Sequence, residues 1–491
     1  MRRILAGIAL ICSGFAASAC SEGRATTKAD ASAPKYYEDV APIINRNCVG
    51  CHRQGGIAEF PLTSYDEVRA HADELAEATA ERRMPPMPVD NSGKCNTYAN
   101  ARWLNDDEID LLGRWVKTGT VAGDASHAPS LPDAPASLPN PDVTLDMGVS
   151  YAPSDASGHD DYRCFVVPSP VDERHYVTAY EVLPGQQDEV HHLIVYQPAN
   201  ESEATAAHAL DDAASGAGYP CFGGPGVDAS PVAMWAPGAG AIALPTGTGV
   251  PLTAHRDLIM QIHYNLDNGK LPDRTRVALV FASTPPISAQ YWPMADAQLR
   301  LPPGQANVES MAHAQIDPVN LKIYGTMPHM HTLGRTMRVD IEANGTSRCM
   351  VQVDRWDFHW QNAWWYSEPV LIDQPDSISI RCGFDTREKR EVVTWGENTR
   401  DEMCINYLYI TTSDKPDTGP NCDNPDNPMF GSCLDQFLAG CYEPDVTGTC
   451  TEDDGSISWS DGSKLVRSGA MASLYRAGSD QPCITAQFSA N

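Results

Sequence analysis

The strongest restriction on the fold is the pattern between residues 146 and 412. Short β-branched and aromatic runs at 190–196, 258–264 and 277–281 are cut by Gly, Pro and turn dipeptides, with few helical periods. Another run, Met337, Val339 and Ile341, leads into an Asn344-Gly345 turn. Alternating strands closed by such turns predict antiparallel β-sandwiches. The stretch is more than one sandwich of roughly 100 residues needs, so two are expected, 146–286 and 287–412, with a seam at Thr284-Pro285-Pro286.

The ends read differently. Residues 35–121 carry helical spacing: Tyr37, Val40 and Ile44 share a face, Ser64 with Glu67 forms a capping box, and so does Asn105 with Glu108 ahead of Ile109, Leu112, Trp115 and Val116. Residues 122–145 hold Pro129, Pro132, Pro135, Pro139 and Pro141, a stiff linker. Residues 413–491 are rich in Asp, Gly, Pro and Cys and read as a disulfide-tied tail. The formal charge of −29 repels phosphate backbones and no basic patch offsets it, so nucleic acid is excluded as a partner.

Fifteen cysteines point to an oxidising compartment or to metal chemistry. The N-terminus supplies the address: Arg2 and Arg3 precede an apolar run at 4–12 that is too short to span a bilayer, and 1–19 reads as a secretory leader. Ala17-Ser18-Ala19-Cys20 resembles a bacterial lipobox, with Ala17 where Leu is commonest; plain cleavage near Ala19 is the alternative. The resemblance implies lipid on Cys20, a tether over 20–34, and a periplasmic or outer-membrane lipoprotein.

Cys48-Val49-Gly50-Cys51-His52 is a C-x-x-C-H motif. Its thiols can bond to haem vinyl groups while the next imidazole reaches the iron; a redox dithiol would leave His52 without purpose. Arg83-Met84-Pro85-Pro86-Met87 offers two thioethers as the sixth ligand. The segment resembles class I cytochrome c domains, which implies covalent haem c and favours Met84 over Met87.

Three further clusters carry metal-binding residue types. His191 and His192 are adjacent, so both meet one metal only if their strand bends. Gln261-Ile262-His263 brings a third imidazole at the end of an apolar run. His329-Met330-His331 puts two rings on one strand face, and Asp401-Glu402-Met403-Cys404 adds a thioether, a set suited to copper that cycles between two oxidation states.

The order H-H, H-Y, H-x-H-x-L-G and E-M-C resembles the copper type II, ascorbate-dependent monooxygenases over about residues 150 to 412. The resemblance implies two jelly-roll sandwiches, each with one copper, facing each other across a solvent-filled cleft. It places His191, His192 and His263 on an electron-transfer copper and His329, His331 and Met403 on an oxygen-binding copper. It also implies a Cys382–Cys404 disulfide and a role for Tyr407 in lining the substrate site. Peptide-acting members carry arginine two positions before H-x-H, where this chain has Met327, so peptidylglycine is not expected as substrate.

The expected activity is therefore hydroxylation of a C–H bond in a small organic molecule by O2. Electrons would come from an ascorbate-like donor, from a redox protein or through the fused haem. The rival is a haem and copper electron-transfer or copper-handling lipoprotein that processes no substrate. After Cys12, Cys20, Cys48 and Cys51 are assigned, an odd number of cysteines remains, so one is free or pairs between chains.

Overall fold

A computed structural model describes residues 33–417 apart from breaks at 57, 100, 134–136, 155–158, 237–238, 267–268, 285, 317–320, 344, 359, 373–375 and 397–400, together with the backbone of five strands between 451 and 487. The leader, Cys20, Asn344 and the side chains of the five tail cysteines lie outside the described residues. Among those described, no helix is long and apolar enough to cross a membrane. The molecule is mostly antiparallel sheet with a small helical region before it.

Helices Ala41–Asn47, Tyr65–Ala70, Ala72–Ala80 and Asp106–Lys117 enclose Val40, Ile44, Val68, Leu112 and Trp115, all fully buried. Asn105 and Glu108 cap the last helix reciprocally. At the second helix the box slips by one residue. Ser64 accepts the Glu67 N–H, but the Glu67 carboxylate turns back to the N–H and hydroxyl of Thr63, both at 2.8 Å.

Part of 35–121 leaves this bundle. Met87, Val89 and Tyr98 are buried in the core of the second sandwich. The Asp90 N–H donates to Gln352 O and the Ala99 N–H to Trp365 O, and Cys95 is disulfide-bonded to Cys349. Met87 is thus a core residue, while Met84 stays beside the helices.

In the first sandwich, one sheet runs in the order Val143–Asp146, Arg276–Phe281, His175–Leu183, Thr248–Leu252. The other runs Tyr219–Pro220, Asp160–Val167, Leu258–Asn265, Val190–Pro198, Ala229–Trp235. Leu193, Val195, Met260, Ile262 and Val277 fill the space between them. A helix over Glu201–Ala213, capped by Asn200 through the Glu203 N–H, interrupts this sandwich; Cys164–Cys221 lies beneath it.

The second sandwich has two four-stranded sheets, Gln290–Ala295, Ile405–Thr411, Leu321–His329, Trp364–Ile372 and Val308–Ile316, Asp376–Phe384, Gly334–Ala343, Thr346–Val353. By chain order these are strands one, eight, three and six against two, seven, four and five. The two sandwiches do not merely face each other. Tyr291, Met327, Ala363 and Tyr409 of the second join the core of the first, and the Tyr409 hydroxyl sits 2.9 Å from that of Thr248. Ile287–Ser288 still pairs with Thr248–Leu252, so the chain changes sandwich just after the proline seam. In the tail, five strands from Thr451–Asp453 to Pro482–Gln487 form an antiparallel meander in chain order.

Candidate metal centres

The first cluster is built by strand register. Val190–Pro198 pairs with Leu258–Asn265 so that His192 stands opposite His263. The register shifts between Val190 and His192, the bend that two adjacent histidines need in order to turn toward one point. Candidate donor atoms of His191, His192 and His263 all lie within 4.8 Å of one another. The His192 Nδ1 is 3.4 Å from the Nδ1 of His191 and 3.2 Å from that of His263.

The His263 Nε2 lies 2.8 Å from Asp160 Oδ1, so Nε2–H donates to the carboxylate and Nδ1 keeps its lone pair for the cluster. Tyr162 stacks on the His263 ring at 4.0 Å. Burial, then the neighbouring imidazoles, hold His192 and His263 well below the ordinary histidine range. That shift favours the neutral ring, the form that binds a metal.

The second cluster is held at a strand end and a turn. Met330 points into the core, and His329 and His331 turn away from it with ring centroids 5.2 Å apart. The His329 Nδ1 is bound to the side-chain oxygen of Gln361, and the His331 Nδ1 to the carbonyl of Asp401 at 3.2 Å. Both contacts leave Nε2 as the coordinating atom, the opposite choice from His263. Burial lowers the His329 pKa.

Met403 lines the same cavity as these two rings, about 130 Å³ in volume, with Tyr407, Met327, Trp235 and Phe358. Met327 and Tyr407 are cross-strand partners. Glu402 is fully buried and its carboxylate accepts the N–H groups of His331, Leu333 and Met403. Burial raises its pKa to about 7 against the pull of those amides. The next residue, Cys404, is bonded to Cys382 on the opposite sheet.

One ring touches both clusters. Phe358 stacks on His191 at 5.1 Å and meets His331 edge-on at 6.0 Å. Phe358 is half-buried and lines the cavity that His192 shares with His329, His331 and Met403.

Cys48, Cys51, His52 and Met84 line one cavity of about 1040 Å³. Neither thiol is in a disulfide. Burial pushes the Cys48 thiol up to about 12, unlike the lowered thiol of a reactive redox pair. The His52 Nδ1 lies 2.9 Å from Phe60 O, so Nδ1–H donates and Nε2 keeps its lone pair.

The sequence matches the copper type II ascorbate-dependent monooxygenase family, its N-terminal domain over residues 150–270 and its C-terminal domain over 293–420. The chain belongs to this family. It is similar to human DBH-like monooxygenase protein 1, 24% identical over 277 residues, which cover 50% of this chain and 44% of that protein. Rat dopamine beta-hydroxylase is 24% identical over 50% of this chain and 43% of its own length. Mouse peptidyl-glycine alpha-amidating monooxygenase is 26% identical over 54% of this chain and 26% of its own length. The chain thus spans less than half the length of these three relatives. Among solved structures, the major capsid protein P2 of bacteriophage PM2 aligns over 55% of this chain at 11% identity and a TM-score of 0.25, too low to carry an argument.

Within this copper family framework, four supporting residues escaped the sequence reading. Glu402 was visible inside the Asp-Glu-Met-Cys string, but the signal taken from it was the thioether. Asp160 heads an apolar strand, where a carboxylate needs a partner. Gln361 and Phe358 lie in an irregular segment and carry no local signature.

Proposed function

We propose that this chain is an exported copper monooxygenase that hydroxylates a C–H bond of a small organic substrate with O2 and two electrons. The observation that carries the reading is that His329, His331, Met403 and Tyr407 share one cavity with His192 of the three-imidazole cluster. Three imidazoles in one place, and two imidazoles with a thioether in another, suit copper in both oxidation states. His191, His192 and His263 would hold one ion and His329, His331 and Met403 the other. Bound copper supplies one-electron redox chemistry and activation of O2.

The chain's own residues prepare both places. Asp160, Gln361 and the Asp401 carbonyl fix which ring nitrogen faces inward. Glu402 ties the backbone of His331 to that of Met403. Phe358 lines the shared cavity and touches a ring of each cluster. Met327, Trp235 and Tyr407 give the substrate wall apolar and hydroxyl character, and no arginine stands where peptide-acting relatives grip a carboxylate. The interleaved order of the second sandwich supports a jelly roll.

The reading extends to a c-type haem, which the Cys48 and Cys51 thiols, His52 Nε2 and the Met84 thioether would hold and which would supply one-electron redox chemistry. Its support is the shared cavity and the fixed His52 tautomer. Electrons would reach the coppers through this haem or from an ascorbate-like donor. The leader and Cys20 support export as a lipid-anchored protein. Copper and haem per chain, measured for wild type and Met403→Ala alongside substrate-dependent O2 uptake, test the reading. One copper lost in the variant, with hydroxylated product formed only by wild type, supports it. Copper and haem that cycle without any product sink it.

A further inference from the structure

The cavity shared by the two clusters has a floor set by strand geometry. Alternate side chains of a strand share a face. On Val190–Pro198, Leu193 and Val195 fill the core of the first sandwich, while His192, Ile194 and Tyr196 line the cavity. Met234 and Gln261, the cross-strand partners of Ile194 on either side, line it too. The surface beside the His192 imidazole is therefore largely hydrocarbon and aromatic. Met327, Pro328 and Tyr407 of the second sandwich close it from the other side.

Charge is missing from this wall. Among the described residues that line the cavity there is no Asp, Glu, Lys or Arg. The carboxylates that support the candidate ligands are engaged elsewhere, Glu402 on three backbone N–H groups and Asp160 on the His263 ring. The side-chain amides are engaged as well. Gln261 donates to Cys221 O, Gln361 donates to Phe358 O and is bound to the His329 ring, and Asn362 Oδ1 accepts the Ala363 N–H. A charged group brought into such a space loses its water and meets no counter-ion on the wall. Copper at the two clusters would add positive charge that opposes an ammonium. A carboxylate would have only the metal to bind, at the position O2 needs.

We propose that the substrate is an uncharged, predominantly apolar molecule on the scale of one ring, selected against ammonium and carboxylate analogues by the wall that Ile194, Met234 and Met327 carry. This deepens the monooxygenase reading above and rests on it. The cavity volume of about 130 Å³ sets the scale, since a dry protein cavity of about 150 Å³ holds benzene. The reaction balances as R–H, O2, two electrons and two protons going to R–OH and water. A C–H bond breaks, a C–O bond forms, the second oxygen atom leaves as water, and an ascorbate-like donor supplies the electrons.

The test uses the full copper-loaded chain, ascorbate and three probes that share a phenyl ring and a benzylic C–H: ethylbenzene, phenethylammonium and phenylpropionate. Hydroxylated product and O2 uptake give kcat/KM for each, and anaerobic calorimetry on the same chain gives binding without turnover. Ethylbenzene is expected to exceed both ions by about tenfold or more in each measurement, because each ion must be buried unpaired. Turnover that favours either ion overturns the proposal, while the product formed keeps the monooxygenase reading. Product from none of the three removes that reading, and calorimetry then decides the proposal. Tighter binding of ethylbenzene supports it; equal binding of all three, or no binding of ethylbenzene, overturns it.

Met234 is half-buried, so Met234→Glu places a carboxylate on the wall. The ratio of phenethylammonium to ethylbenzene binding should then rise by about tenfold, and a ratio is insensitive to a misfolded fraction of the sample. Met327→Glu repeats the measurement from the opposite wall. A ratio unchanged in both variants overturns the assignment of selection to this wall.

Discussion

The two candidate metal centres are built by different means. The histidine cluster sits inside a sheet: pairing of two strands and one bulge bring its rings together, and a single carboxylate, Asp160, sets the tautomer of His263. The methionine centre sits where strands end. Its candidate ligands come from a strand terminus and a turn, tied by Glu402 and by the Cys382–Cys404 bond. A centre made by register inherits the rigidity of the sheet, whereas one made by turns depends on a few buried polar contacts.

Substitutions can break this contrast. The largest effect is expected from Glu402→Ala. It leaves the amides of His331, Leu333 and Met403 without their buried acceptor, at about 1–3 kcal/mol for each. Copper at the methionine centre should be lost to a chelator while the histidine cluster keeps its ion, as read by metal content and paramagnetic resonance. Loss of both ions together would show that the centres are not independently supported.

A smaller change is expected from Asp160→Asn, which keeps the shape but removes the charge behind His263. Copper affinity of the histidine cluster should fall by about 10–100-fold with the other centre unchanged, measured by competition with a chromogenic chelator. An effect confined to the methionine centre would contradict the division. The smallest effect is expected from Asn105→Ala, which removes the cap of the last helix at a cost of about 1 kcal/mol. Thermal unfolding should shift slightly, and the copper content of both centres should not change.

The same contrast explains what was legible in the sequence. Alternation and turn chemistry exposed the sheets, and the spacing of His329 and His331 put two rings on one strand face, whereas the strand ends at His329 and Met330 is buried in the core between them. The need for a bend at His191 and His192 also followed from strand geometry, and the bulge is there. The supports were harder to see. Gln361 acts from an irregular stretch 32 residues from His329, and no local pattern announces such a partner. The helix at Glu201–Ala213 was missed although Asn200 and Glu203 form its start signal, because the β-rich surroundings dominated the reading. Likewise the stretch containing Cys95 read as part of the helical unit; only tertiary packing shows that it belongs against the second sandwich.

That stretch gives the helical unit two attachments. Cys95 fastens it to Cys349 on one sandwich, while the cavity beside Cys48 is completed by residues of the other. Any hinge opening of the sandwiches would have to stretch this crossing span or pull the cavity apart. The bundle therefore acts as a brace between the two halves.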